Sequence, residues 1–171
     1  QGPGAVGCLL GAWQALRMVG PFHAALDLID VVARMHALHA SDLMRLHWVA
    51  GRVDHLLGRH ASAGRHLDEA LGHADSVGDH GWKARITCAS GEQLALSGQT
   101  QAARRQLESA LTLARWVGDA ILHREALNAL GAVETSMGEL ASARALYEAA
   151  LSLCSIDDDA VRGGLLGNLG E

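Results

Sequence analysis

One interval organises this sequence. Gly51, Gly91 and Gly131 are each 40 residues apart, and so are Gly58, Gly98 and Gly138. Ala63, Ala103 and Ala143 keep the same step, as do Ala70, Ala110 and Ala150, and Leu71, Leu111 and Leu151. Asp79, Asp119 and Asp159 continue it, the first two preceded by Gly78 and Gly118. So many columns in one register imply an array in which a single supersecondary unit recurs.

Each unit reads as two helices. Pro occurs only at positions 3 and 21, so long stretches lack a helix breaker. Asp79 and Asp119 stand where an N-cap belongs, after a glycine able to end the preceding helix in the left-handed region. A first helix then runs to about Ser97 or Met137, Gly98 or Gly138 makes the turn, and a second helix follows. Ala103, Leu107, Ala110, Leu111 and Ala114 form an apolar stripe at helical spacing. It recurs as Ala63, Leu67, Ala70, Leu71 and Ala74, and as Ala143, Tyr147, Ala150, Leu151 and Cys154. The first unit is looser: Gly20 lies nine residues after Gly11 instead of seven, and Pro21 follows. At the far end, Leu166, Leu169 and Gly170 match Leu127, Leu130 and Gly131 at a spacing of 39, restarting a first helix.

The pattern Leu127-x-x-Leu130-Gly131, then Gly138, Ala143, Tyr147 and Ala150, resembles the tetratricopeptide repeat. That family's usual unit is about 34 residues long. A 40-residue period with Gly-Asp between units is similar to a lengthened subclass found in large bacterial regulators, LuxR-type and antibiotic-regulatory activators among them. It is also similar to kinesin light chains and bacterial peptide-sensing regulators. The family's closing Pro is missing near Ser155, and its first-helix aromatic is replaced by Asp54, Leu94 and Glu134. Both departures suggest longer helices. The fold expected is all-α: a right-handed superhelical solenoid of antiparallel helix pairs. Its units span about 4–39, 40–78, 79–118 and 119–158, with a partial fifth at 159–171. The chain reads as a fragment of a longer array. Without a polar capping helix, Leu165, Leu166 and Leu169 are expected to expose apolar surface or fray, and the uncapped ends to permit self-association.

By resemblance, first helices line a concave groove. The inner positions implied are Trp48, Arg52 and His55 in the second unit, Cys88, Glu92 and Ala95 in the third, and Asn128, Ala132 and Thr135 in the fourth. Arg45, Arg85 and Glu125 lie one turn earlier. This set changes from basic and aromatic to acidic and polar, which suits a peptide or protein ligand whose acidic end lies near the second unit. Trp and Arg are common binding hot spots. The family's clamp for C-terminal carboxylates needs Lys in the Trp48 column and Asn in the Arg52 column, so that clamp is not expected. Arg45, Arg52 and Arg85 remain able to hold a carboxylate.

Other chemistry finds little support. A net charge of −5 with no basic cluster argues against nucleic acid. The apolar stretch Ala5 to Val19 contains Gln14 and Arg17 and is too short to span a bilayer. Cys8, Cys88 and Cys154 are odd in number and widely spaced, which suits a reducing cytoplasm better than a disulfide framework. Cys8 and Cys88 read as small packing residues, since no His is placed beside either as a base. Of ten histidines, His36 and His39 are at i, i+3 with no third donor at metal spacing. His47, His55, His60, His66 and His73 scatter over the two helices of the second unit, so neither a metal ion nor another cofactor is expected. Gly164-x-x-Gly167-x-x-Gly170 lacks phosphate-loop spacing. Trp13, Trp82 and Trp116 break their columns and read as packing residues or exposed contact patches.

The reading that follows is a non-enzymatic protein- or peptide-binding scaffold or sensor module of a bacterial regulatory protein. Its alternatives are a structural or oligomerisation spacer, and a helical-hairpin enzyme or metal-binding domain.

Overall fold

The computed structural model describes residues 2–35, 38–155 and 158–170, with side chains at all of these except 2, 3 and 17–19. His36 therefore lies outside the described residues. Among the described residues every regular element is a helix. They are α1 (Gly2–Val19), α2 (Phe22–Ala33), α3 (Ala40–Leu56), α4 (His60–Val77), α5 (His80–Leu96), α6 (Thr100–Val117), α7 (Ala120–Ser136), α8 (Leu140–Ser152) and α9 (Asp159–Leu169). The chain divides into two compact units, residues 1–79 and 80–171.

In the first unit α1 packs on α2 and α3, α2 on α3, and α3 on α4. Pro21 stands at the N-cap of α2 with φ −76°, where a fixed φ and a missing N–H cost the helix little. The Asp42 carboxylate accepts a hydrogen bond from the His39 N–H at 3.2 Å, closing the first turn of α3. Trp13 and Trp48 are both buried and meet edge to face with ring centroids 6.4 Å apart, a favoured aromatic geometry. The stripe of α4 is buried at Ala63, Leu67, Ala70 and Ala74.

The second unit repeats the pattern through α5 to α9. α5 pairs with α6, α7 with α8, and α8 with α9, while α7 also packs on α5 and α6. One core joins Ala84, Cys88, Leu107, Ala110, Leu122, Leu130 and Val133. A second joins Leu127, Ala143, Tyr147, Ala150 and Leu165.

The glycine column sets how closely each pair approaches. A Cβ on Gly51 would lie 2.9 Å from Leu67 Cγ, one on Gly91 2.6 Å from Leu107 Cγ, and one on Gly131 2.6 Å from Tyr147 Cε1. Each first helix thus leaves a notch into which the second helix inserts the large residue of its apolar stripe. Between pairs, Gly118 ends α6 at φ +72°, a conformation that disfavours any residue with a Cβ.

The last junction departs from the aspartate column, and one sequence expectation needs correction. The N-cap residue of α9 is Asp158 and not Asp159, 39 residues after Asp119. The cause is local: Gly78 and Gly118 have no counterpart at 158, and α8 stops at a right-handed Leu153 after 13 residues where α6 runs for 18. Nor do the C-terminal leucines all face water, because Leu165 is buried against α8 and Leu166 and Leu169 are half-buried. The acids standing in the family's aromatic column are buried. Glu134 meets Arg104 Nε at 2.9 Å, and Asp54 meets Arg59 at 3.5 Å and His66 at 3.8 Å.

Two stability measurements check this account. Gly91→Ala is expected to destabilise by about 1–3 kcal/mol through overpacking against Leu107. Gly72→Ala, with nothing within 4 Å of its added Cβ, is expected to stabilise by about 0.5–1 kcal/mol. Equal effects in urea titrations would remove the notch from the argument. Arg104→Ala strands a buried carboxylate and should cost about 1–3 kcal/mol. Adding Glu134→Leu, the residue type at position 94, should recover most of that loss.

Candidate binding face on the first helices

Positions three before the column glycine, and one and four after it, share one side of each first helix because they step by four and three residues. On α3, Arg45, Arg52 and His55 are half-exposed, whereas Trp48 between them is only 8% exposed. Trp48 is therefore a core residue locked by Trp13, not an open groove side chain. The same correction applies to Cys88 on α5, which is 3% exposed and belongs to the core with Leu107. A Trp or Cys at this column has apolar neighbours on the adjoining helix, and burial wins over exposure.

Glu92 and Ala95 on α5 are half-exposed. On α7, Glu125, Ala132 and Thr135 are exposed and Asn128 is half-buried. Asn168 Nδ2 donates to Asn128 Oδ1 at 3.0 Å, so two residues 40 apart join side by side on α7 and α9. The Thr135 hydroxyl donates to the Gly131 carbonyl at 2.9 Å and lies 3.3 Å from the Tyr147 hydroxyl.

Arg85 has a task within the fold. Its Nη2 donates to Asp119 Oδ2 at 3.2 Å, while Asp119 Oδ1 accepts the Leu122 N–H at 2.9 Å. One carboxylate thus caps α7 and ties it to α5. The arginine contact recurs 39 residues on without the side-chain cap: Arg124 Nη1 donates to Asp158 Oδ2 at 2.6 Å, beside a 3.0 Å bond from the Ser155 N–H. The partner of Arg85 in the repeat is therefore Arg124, not the adjacent Glu125, because the junction has slipped by one residue. Hydrogen bonds from Ser155, backbone first, hold the Asp158 carboxyl below the ordinary carboxylate range against an opposing effect of desolvation, with a lesser contribution from the Arg124 guanidinium. The Arg85 guanidinium also lies 5.8 Å from the centre of the Trp82 ring, within cation–π reach. Trp116 remains 67% exposed, with His80 at 4.6 Å edge to face.

A cluster that the spacing of residues did not suggest forms between α3 and α4. His47, Glu69 and His73 each bring a donor atom within 4.8 Å of the others. His47 Nδ1 is 3.1 Å from His66 Nδ1, and the His47 and His73 rings stack at 5.8 Å. Burial, then the neighbouring His66, lowers the His47 pKa below the ordinary imidazole value, opposed by Glu69. Glu69 and His73 are four apart on one helix face, a signal present in the sequence. Their convergence with His47 appears only once the two helices are paired.

Residues 42–115 match the family described as tetratricopeptide repeat. The solved structure of BtubC (BKLC) from P. vanneervenii superposes with a TM-score of 0.79 at 18% identity, over 96% of this chain and 72% of that one. The apo form of RapI superposes with a TM-score of 0.80 at 11% identity, over 96% of this chain and 61% of that one. The fold is tetratricopeptide-like. No curated protein sequence matches the chain. The Arg85–Asp119 and Arg124–Asp158 pairs each join one first helix to the start of the next.

The second of these pairs predicts an acid response. A depressed carboxyl pKa contributes stability that is present above the ordinary value of 3.8 and lost as pH falls through the lower, folded value. The wild-type chain should therefore melt higher than Asp158→Asn at pH 6. The gap should close progressively in melts below about pH 4.

Proposed function

We propose that this chain is a protein- or peptide-binding scaffold, a sensor module of a bacterial regulatory protein acting in the cytoplasm, with first-helix faces as its binding surfaces. The tetratricopeptide match and fold support a scaffold of this kind. The 40-residue period with Gly-Asp junctions supports the regulatory parentage through its likeness to the lengthened bacterial subclass. Dispersed cysteines support a reducing compartment. Among the described residues no helix is long and apolar enough to cross a membrane. The net charge of −5 disfavours a nucleic-acid partner.

The observation that carries the reading is the stripe on α3. Arg45, Arg52 and His55 recur at i, i+7 and i+10, all half-exposed, around a buried Trp48 that fixes the helix against α1. Guanidinium groups on a rigid helix suit carboxylates on a docking segment, because each can make two parallel hydrogen bonds. The ligand class is an acidic peptide segment. Glu92, Glu125, Asn128 and Thr135 offer a separate polar face on the second unit, where acceptors outnumber cations.

A spacer or self-association role is the second reading. It is favoured by large apolar side chains left open on the second unit, Trp116 at 67% and Ile121 at 58% exposure. Light scattering of Trp116→Ala beside the parent chain separates the two readings, since only self-association makes the mass depend on that residue.

Fluorescence anisotropy with a set of acidic and basic peptides tests the main reading. The double variant Arg45→Glu/Arg52→Glu should lose about tenfold or more in affinity for acidic peptides, with its helical circular dichroism intact. Undiminished binding would overturn the α3 stripe as the site. Trp48 is left in place because its removal would open the core.

A further inference from the structure

We propose that His47, Glu69 and His73 form a zinc-class divalent metal site between α3 and α4, with His66 as a positioning residue behind His47.

Two imidazoles and a carboxylate are a donor set suited to zinc, and three protein donors leave one tetrahedral position for water. Zinc bonds of about 2.0–2.2 Å place tetrahedral donors about 3.3–3.6 Å apart. The three donor atoms already lie within 4.8 Å of one another, so side-chain rotations of an ångström or so complete the geometry. Glu69 and His73 stand one turn apart on α4, and His47 enters from α3, so the ion would join the two helices of one pair.

The surroundings carry a second, independent sign. Metal-bound imidazoles typically donate their other ring N–H to a hydrogen-bond acceptor, which fixes the tautomer and the ring orientation. Here His47 Nδ1 meets His66 Nδ1 at 3.1 Å, and His66 Nε2 lies 3.8 Å from the buried carboxylate of Asp54. In the tautomer whose Nδ1–H donates to His66, Nε2 is the nitrogen that His47 has left to offer.

The repeat supplies its own control. At the column of His47 the other pairs carry Thr87 and Leu127; at Glu69, Ser109 and Ala149; at His73, Leu113 and Leu153; at His66, Gln106 and Leu146. The α7–α8 pair folds with small or apolar residues in all four places. The packing of the pair therefore does not require the donors found between α3 and α4. All three proposed ligands, and the residue positioning one of them, fall in a single pair.

The test is a competition titration of zinc against a chromophoric chelator, using the purified chain first stripped of metal. One equivalent should bind, with a dissociation constant of about 1 µM or tighter. Glu69→Gln and His73→Ala should each weaken binding by about tenfold or more, and His66→Ala by about tenfold through the lost support. His23→Ala and His123→Ala, on other helices, should leave it unchanged. Glu69 is exposed, so Glu69→Gln keeps the experiment decisive even if His47→Ala fails to fold. Cobalt(II) in place of zinc should give the intense visible bands of a tetrahedral site, absent in His73→Ala. No stoichiometric uptake by the parent chain, or equal affinity in Glu69→Gln, His73→Ala and His23→Ala, would overturn the site.

Discussion

Every helix pair from α3 onward depends on one contact, the large residue of the second helix seated on a glycine of the first. Gly51 faces Leu67, Gly91 faces Leu107 and Gly131 faces Tyr147, each with less room than a methyl group needs. That contact does two things. It lets the helices approach until the alanines of the second-helix stripe can be buried, and it fixes the antiparallel register of the pair. Burying a leucine in this way is worth about 1.5–3 kcal/mol. The change from Leu to Tyr at 147 shows that the notch specifies size and position rather than one side chain. Tyr147 also reaches the Thr135 hydroxyl, so its polar end is not stranded when its ring is buried.

Charge supports this packing at places where apolar contact alone would not fix the spacing between pairs. Asp119 is used twice, once by the start of α7 and once by Arg85 of α5. Because the carboxylate both caps a helix and holds the preceding first helix, the cap cannot shift without loosening the stack. Asp158 shares only the second of these roles: Arg124 of α7 holds its carboxylate, which makes no cap hydrogen bond to α9. The buried acids Asp54 and Glu134 work within and between pairs by a different route. Each occupies a place where the family carries an aromatic residue and satisfies its charge with a base from a neighbouring helix segment. A buried carboxylate is costly unless paired, so these positions tie the identity of Arg59 and Arg104 to that of the acid.

Fold and pairing were legible because glycine columns, alanine stripes and capping aspartates are local signals repeated at one interval. The details that escaped were those set by neighbours in space. Trp48 and Cys88 occupy an inner-face column, yet Trp13 and Leu107 cover them, and nothing in their own helices announces that. Arg85 reads as a free cation until Asp119 is placed beside it. The slip at Asp158 follows from the lack of a glycine after α8, a signal that was present but was outweighed by the regularity of the earlier junctions. Leu165 is covered by residues that precede it, Ala143, Tyr147 and Ala150 of α8, which nothing in its own helix announces.

The histidine cluster follows from the same register and shows what such a repeat leaves open. Once Gly51 is set against Leu67, antiparallel geometry carries His47, four residues before the glycine, opposite the stretch around position 71 on α4. Glu69 and His73 flank that point on the same helix. The convergence is thus implied by the glycine contact together with the i, i+4 spacing, although neither signal alone reveals it. In the other two pairs the equivalent places hold residues without strong donor groups, and those pairs close just as tightly. A repeat whose register is fixed by one glycine and one large residue leaves its flanking columns chemically unassigned. Chemistry added in those columns of one pair need not disturb the stacking of the others.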